Sequence, residues 1–372
     1  MRFRPPGEAP PHFRPESVEF YWRVPYGERA ADARAWAAEH GIRPSVEDEC
    51  RTALLLVDCQ NTFCLPEFEL FVGGRSGRGA VDDNKRLCAF IYRNLHSISE
   101  IIATLDTHTT QQIFHPVFWV DRDGGHPTGG ETIITPDDVE AGTWRVNPAV
   151  EARYSDRFDL STYALHYVRR LTRDGKYPLM IWPYHAMLGG IGHALVSAVE
   201  EAAFFHGIAR VRQTRFEIKG NHALTENYSA LRPEVTEDAE GRPLGVKNTP
   251  LGVKNTPLSV KNTPLGVKNT PLGVENTPLA DHLMSFDAVI VAGQAKSHCV
   301  AWTVEDLRSE FAAREPSMIP RVCLLEDCTS PVVVPGVIDF TEESEAAFGR
   351  FADAGMRRVR STEPMDKWGI PD

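Results

Sequence analysis

A cysteine, an aspartate and a lysine, far apart in the chain, are the types needed for nucleophilic catalysis. Cys299 lies in GQAKSHCVAWTVEDL (Gly293–Leu307), where an apolar run ends at Gly293 and a helical pattern opens at the cysteine. A helix start offers unpaired N–H groups and a partial positive charge. Such a place favours thiolate and can lower a cysteine pKa from ~8.5 into the range ~3.5–7.5. The same N–H groups can hold the oxyanion of a tetrahedral intermediate. A small buried thiol is the alternative for this segment alone. Asp58, in VDCQNTF (Val57–Phe63), and Lys219, in FEIKGNHALTENYSAL (Phe216–Leu231), each follow an apolar run. Alone, the first reads as a turn or helix cap and the second as a solvated charge. Together the three supply a thiol, a base for its proton and a cation for the anion that forms.

A second group has the types that bind metal. LDTH sets Asp106 and His108 two apart, and WPYH places His185 much later. One carboxylate and two imidazoles can hold a divalent ion and leave positions open. Zinc is the first expectation, with iron or manganese as alternatives. His115 and His126 compete as third ligands. Phe63 and Trp119 are candidates for the wall of a pocket that takes a flat ring.

These residues need elements to position them. Short apolar runs recur at Thr52–Asp58, Ile101–Asp106, Pro178–Trp182, Val211–Lys219, Asp287–Gly293 and Arg321–Asp327, each suited to a strand buried on both faces. Helical patterns fall at Glu28–His40, Asn84–Ile98 and Gly192–His206, where Leu195, Val199 and Ala202 share a face. Another follows Cys299, with Val300, Val304, Leu307 and Phe311. Strands alternating with helices predict an α/β domain with a parallel sheet covered on both sides. Its site is then expected beyond the carboxyl ends of the strands, where Asp58, Asp106, Lys219 and the loop before Cys299 all fall.

The whole chain has 372 residues, enough for one large domain or two ordinary ones. Its net charge of −11 argues against nucleic acid and against an anionic membrane surface. No apolar run approaches the ~20 residues of a membrane span, and no signal peptide is legible. Seven irregularly spaced cysteines suggest reduced thiols and a cytoplasmic setting. Residues 243–277 are five heptads of PLGVKNT, one with Ser for Gly and one with Glu for Lys. Proline in each repeat rules out a coiled coil. The expectation is a tolerated surface loop, with a partner-binding segment as the alternative.

The motifs VDCQNTF, LDTH, WPYH, IKGNH and GQAKSHCVAWT, in this order, resemble the isochorismatase-like cysteine hydrolases, and within them the nicotinamidase branch. The resemblance implies a doubly wound, Rossmann-like three-layer sandwich with a six-stranded parallel sheet. It implies a hydrolase domain at 52–360, after an N-terminal extension (1–51) and before a C-terminal tail (361–372). It also implies Asp58, Lys219 and Cys299 as the catalytic triad, with Thr303 closing the cysteine motif. A cis peptide is implied at Gln294–Ala295. The oxyanion region is then Gln294, Ala295, His298 and Cys299, with N–H groups drawn from Ser297 to Val300. Asp106, His108 and His185 match the metal ligands of the nicotinamidase branch. The expected function is hydrolysis of a small amide, nicotinamide or a related carboxamide, by an enzyme that forms a homo-oligomer. The alternatives are a metal-independent hydrolase of the same superfamily and a non-catalytic protein that binds through the repeat loop. Three departures stand out: Ala186 replaces a usual cysteine, the stretch from His108 to His185 is long for that branch, and Lys296 sits where the family often has threonine.

Overall fold

The computed structural model describes residues 5–154, 158–244, 249–250 and 278–371. Most of the repeat loop at 243–277 therefore lies outside the described residues. Six parallel strands form the centre: β1 (Thr52–Val57), β2 (Glu100–Asp106), β3 (Arg215–Lys219), β4 (Ala288–Gly293), β5 (Val322–Leu325) and β6 (Arg357–Val359). Their order is β6-β5-β4-β1-β2-β3, and Thr249–Pro250 adds a short antiparallel edge beside β3. The order runs outward in both directions from β1 and β4, so the strand connections reverse there. A crevice opens at the carboxyl ends of those two strands.

Alternation along β1 fixes the layers. Leu54 and Leu56 face a core shared with α2 (Gly79–Arg93) and α4 (Ser197–Ala209). Ala53, Leu55 and Val57 face a second core, filled by Val304, Leu307 and Phe311 of α5 (Ala301–Arg314) and by Phe348 and Phe351 of α6 (Thr341–Asp353). The result is the expected three-layer α/β sandwich. The N-terminal helix α1 (Tyr26–His40) packs outside α4. Near the C-terminus, Trp368 is buried and stacks on Phe90 of α2.

Two strand expectations are corrected. The run at Pro178–Trp182 does not join the central sheet. Only Leu179–Met180 is extended, paired antiparallel with Ile133–Ile134. The sixth central strand is instead Arg357–Val359, an edge strand whose two arginines hide it from an apolar-run search. A third core is built on α3 (Leu160–Arg173) with Phe114, Phe118, Trp119, Tyr163 and Tyr167, mostly from described residues of the stretch 113–182 and joined by Leu224 and Val235.

Candidate active site

The crevice is tight because of one glycine. Gly293 ends β4 at φ 117°, and a Cβ there would lie 2.0 Å from the carbonyl oxygen of Val57. Only glycine lets the two strands end this close together. On the other side, Asp58 turns off β1 at φ 47°, left-handed backbone that non-glycine residues rarely adopt. Its side chain is thereby turned into the crevice, where the Thr104 hydroxyl donates to Oδ1.

Lys219, the last residue of β3, is buried at the centre of this group. Its Nζ lies 2.9 Å from Asp58 Oδ2, 3.0 Å from Asp106 Oδ1 and 3.5 Å from Cys299 Sγ, and it donates to the Asn227 carbonyl at 2.8 Å. Burial works against its charge, but the carboxylates of Asp106 and Asp58 outweigh burial and hold its pKa well above that of a free lysine. Burial raises the pKa of Asp58, opposed by Lys219. Burial also drives the Cys299 thiol well up, with Lys219 pulling the other way. Burial thus opposes the thiolate that a helix start favours at this position.

Cys299 lies within a single π-type turn, Lys296–Val300, that leads into α5. The preceding Gln294–Ala295 peptide is cis. Two of the four N–H groups expected to hold an oxyanion are already used, since His298 and Val300 both donate to the Ala295 carbonyl at 3.0 and 3.1 Å. Ala295 and Cys299 line the central cavity, while Ser297 faces away from it.

The metal-type residues gather next to the lysine. Ligating atoms of His108, His115 and His185 lie within 4.8 Å of one another. His108 Nε2 is 3.1 Å from Asp106 Oδ1, and His185 Nε2 is 3.9 Å from Asp106 Oδ2. Each Nδ1 sits beside a backbone carbonyl: His108 at His185 (3.2 Å), His115 at Thr110 (3.2 Å) and His185 at Pro183 (2.8 Å). A carbonyl only accepts, so Nδ1 carries the proton in each ring and Nε2 presents a lone pair. The Nε2 atoms of His108 and His115 are buried without a hydrogen-bond partner. Three lone pairs and a carboxylate with so few donors fit a cation. At two of the three rings the direction of the pKa shift agrees. Burial, followed by the charge of His108, lowers His115 to about 4 and His185 well below its usual value. At His108, Asp106 overcomes burial and raises the pKa. Gly220 makes room for this group, because a Cβ there would meet Asp106 Oδ1 at 2.4 Å and His108 Nε2 at 3.0 Å.

Of the two rival histidines, His115 joins the cluster and His126 does not; its Nδ1 pairs with the Trp119 carbonyl. Trp119 is also removed from the pocket. It is fully buried in the core of residues 113–182, where its Nε1 donates to Ile113. Phe63 does line the cavity, a space of about 250 Å³, together with Cys299, Asp106, His185 and His298. Sequence reading missed Trp182, Glu226, Tyr228 and the Val332–Val334 wall. Burial raises the Glu226 carboxyl to about 7. Its signal was an acidic residue within the otherwise neutral stretch after the Lys219 motif. Gln60, within the Asp58 motif, supports the site from behind. Its side-chain amide clamps the Asp106 backbone, donating to the carbonyl and accepting the N–H, both at 2.8 Å.

The chain matches no protein-family model and no curated protein. Among solved structures it is similar to a nicotinamidase/pyrazinamidase of Acinetobacter baumanii, with 17% identity, 84% of this chain and 96% of that one covered, and a TM-score of 0.44. It is similar to the yeast nicotinamidase, with 15% identity, 83% and 99% covered, and a TM-score of 0.44. A pyrazinamidase of Pyrococcus horikoshii in complex with zinc gives 15% identity, 83% and 98% covered, and a TM-score of 0.40. No helix among the described residues is long and apolar enough to cross a membrane.

Proposed function

We propose that this protein is a cysteine hydrolase that cleaves a small carboxamide, nicotinamide or a close relative, through a thioester on Cys299. The observation that carries this reading is the contact of one buried ammonium, Lys219, with Asp58, Asp106 and Cys299. A thiol and a base share one cation beside the cavity, as nucleophilic catalysis requires.

The steps follow from the charges. Asp58 takes the proton from the Cys299 thiol as sulfur attacks the amide carbon, and Lys219 offsets the negative charge on both. The N–H groups of Ala295 and Cys299 receive the oxyanion, since both residues line the cavity and the N–H groups of His298 and Val300 are spent. The intermediate collapses, the C–N bond breaks, and Asp58 returns its proton to the leaving nitrogen, which departs as ammonia. Water then adds to the thioester carbon and gives its proton to Asp58. When the C–S bond breaks, that proton returns to sulfur and the carboxylic acid is released. Phe63, Trp182 and Tyr228 give the cavity flat walls that suit a ring. Asp106, His108, His115 and His185 would hold a divalent metal, with zinc the first expectation. When bound, it supplies a Lewis acid for a substrate nitrogen or for water.

The experiment is ammonia release from a panel of small amides that includes nicotinamide. Turnover by the unsubstituted protein, its loss in Cys299→Ala, and an acyl adduct of matching mass on Cys299 in quenched reactions are the expected results. Full activity in Cys299→Ala would overturn the reading.

A further inference from the structure

Lys296 opens the cysteine turn, and its side chain is not part of the cavity wall. It is buried, yet its ammonium extends away from the cavity to pair with Glu345 of α6 and lies 4.4 Å from the centre of the Phe348 ring. Glu345 also binds Arg358 of β6 at 2.7 Å, and Arg358 pairs with Glu326. The turn is thus tied by a chain of alternating charges to the outer helix and the edge strand. Its other ties are shorter in reach. Lys296 N–H donates to Ser330 (2.8 Å), the Ser297 hydroxyl accepts from Val332 (3.1 Å), and Tyr177 donates to the Ser297 carbonyl (3.0 Å).

We propose that Lys296 is a positioning residue. Its ion pair with Glu345 clamps the turn that carries Cys299 and directly follows Ala295, so that the nucleophile and the proposed oxyanion donors face the carbonyl under attack. The proposal rests on the hydrolase reading for what the turn does, though not for the clamp itself. The asymmetry of the pair supports the role. The ammonium is enclosed, whereas the Glu345 side chain is 48% exposed. Enclosing a cation opposes folding unless a partner compensates it. A lysine that served only to fill space would leave this burden without return, and threonine, the residue the resemblance leads one to expect here, would avoid it. Oxyanion donors must stay within a few tenths of an ångström of their place to work. The turn carries the nucleophile and follows directly on Ala295, so one anchor at its first residue acts on both the thiol and its proposed donors.

The test uses the full chain and three variants. Lys296→Met keeps the apolar stem and removes the charge. Glu345→Gln removes the partner from a half-exposed position and so folds even if Lys296→Met does not. Lys296→Arg keeps the ion pair. With nicotinamide, or the best amide of the panel, the first two are expected to lower kcat at least tenfold with KM changed less than threefold. The arginine variant should recover to within threefold. Hydrogen exchange read by mass spectrometry should quicken about tenfold in the peptide covering 294–300, while peptides of α1 and α2 are unchanged. A kcat within twofold, no recovery with arginine, or unchanged exchange at 294–300 overturns the clamp. If the unsubstituted protein hydrolyses no amide, the hydrolase reading fails separately, and exchange alone decides the clamp.

Discussion

The lysine-centred trio and the histidine cluster touch each other at Asp106, yet the fold builds them by different means. Asp58, Lys219 and Cys299 stand at or just beyond the carboxyl ends of β1, β3 and β4. The strand ends and the turn after β4 bring them together, and charge holds them: one ammonium between two buried carboxylates. Of the histidines, only His108 follows a central strand. His115 and His185 come from loops bordering the separate core of residues 113–182, and backbone carbonyls rather than charges fix the ring orientations. The trio should survive changes in the inserted core, and the histidine cluster should not.

Replacing Lys219 by Met tests the first half with the largest effect. It leaves Asp58 and Asp106 facing each other without their shared cation. Breaking a buried pair in this way costs about 3–5 kcal/mol. We expect urea unfolding to show that loss and amide turnover to fall more than a thousandfold. Near-normal stability would mean that the carboxylates do not depend on the ammonium, and the charge-held picture would be wrong.

The trio could be picked out because Asp58 and Lys219 end apolar runs and Cys299 closes the loop after a third, and strand ends converge in a doubly wound sheet. The same logic failed at Pro178–Trp182, whose apolar residues serve a local core instead of the sheet, and at Arg357–Val359, whose side chains do not advertise a strand. His115 could not be chosen over His126 from spacing, since both lie in the same loop region and only packing decides which ring faces Asp106. Trp119 and Trp182 pose the same problem: two tryptophans near motifs, one core and one pocket. Lys296 looked like a mere departure, because its partner Glu345 lies far along the chain.

Replacing His185 or His115 by Ala tests the second half. Each removes one lone pair from the cluster and leaves Lys219, Asp58 and Cys299 in contact. Metal affinity should fall at least a hundredfold, read as ion content after dialysis against a chelator, with unfolding midpoints little changed. Equal metal content in both variants would remove the cluster as a site. Gly220→Ala tests the seam between the regions. A Cβ 2.4 Å from Asp106 Oδ1, on left-handed backbone, must push Asp106 from both Lys219 and His108. Metal retention and turnover should therefore drop together here, whereas the histidine variants should affect metal first.

The smallest expected effect lies away from both regions and sets their background. His206 of α4 is fully buried, its Nε2 beside the Ile98 carbonyl, with Arg210, Asp48 and Glu100 nearby. Burial lowers its pKa to about 4, the charge of Arg210 adds to this, and hydrogen bonding to Ile98 opposes it. In the unfolded chain the same ring titrates near ~6.5. Between those values the unfolded state takes up a proton that the folded state refuses, so stability falls as pH falls from about 6.5 to about 4. The shift corresponds to about 3 kcal/mol across the window at most. His206→Gln keeps an amide that can donate to Ile98 and removes the titration. Its unfolding free energy should lose much of the slope between pH 6.5 and 4, and an unchanged slope would place the acid sensitivity elsewhere. Because His206 lies far from Asp106 and carries no metal, this loss should be the same with and without added zinc. Acid lability that zinc does suppress would instead belong to the histidine cluster, whose Nε2 atoms a bound ion would shield from protons.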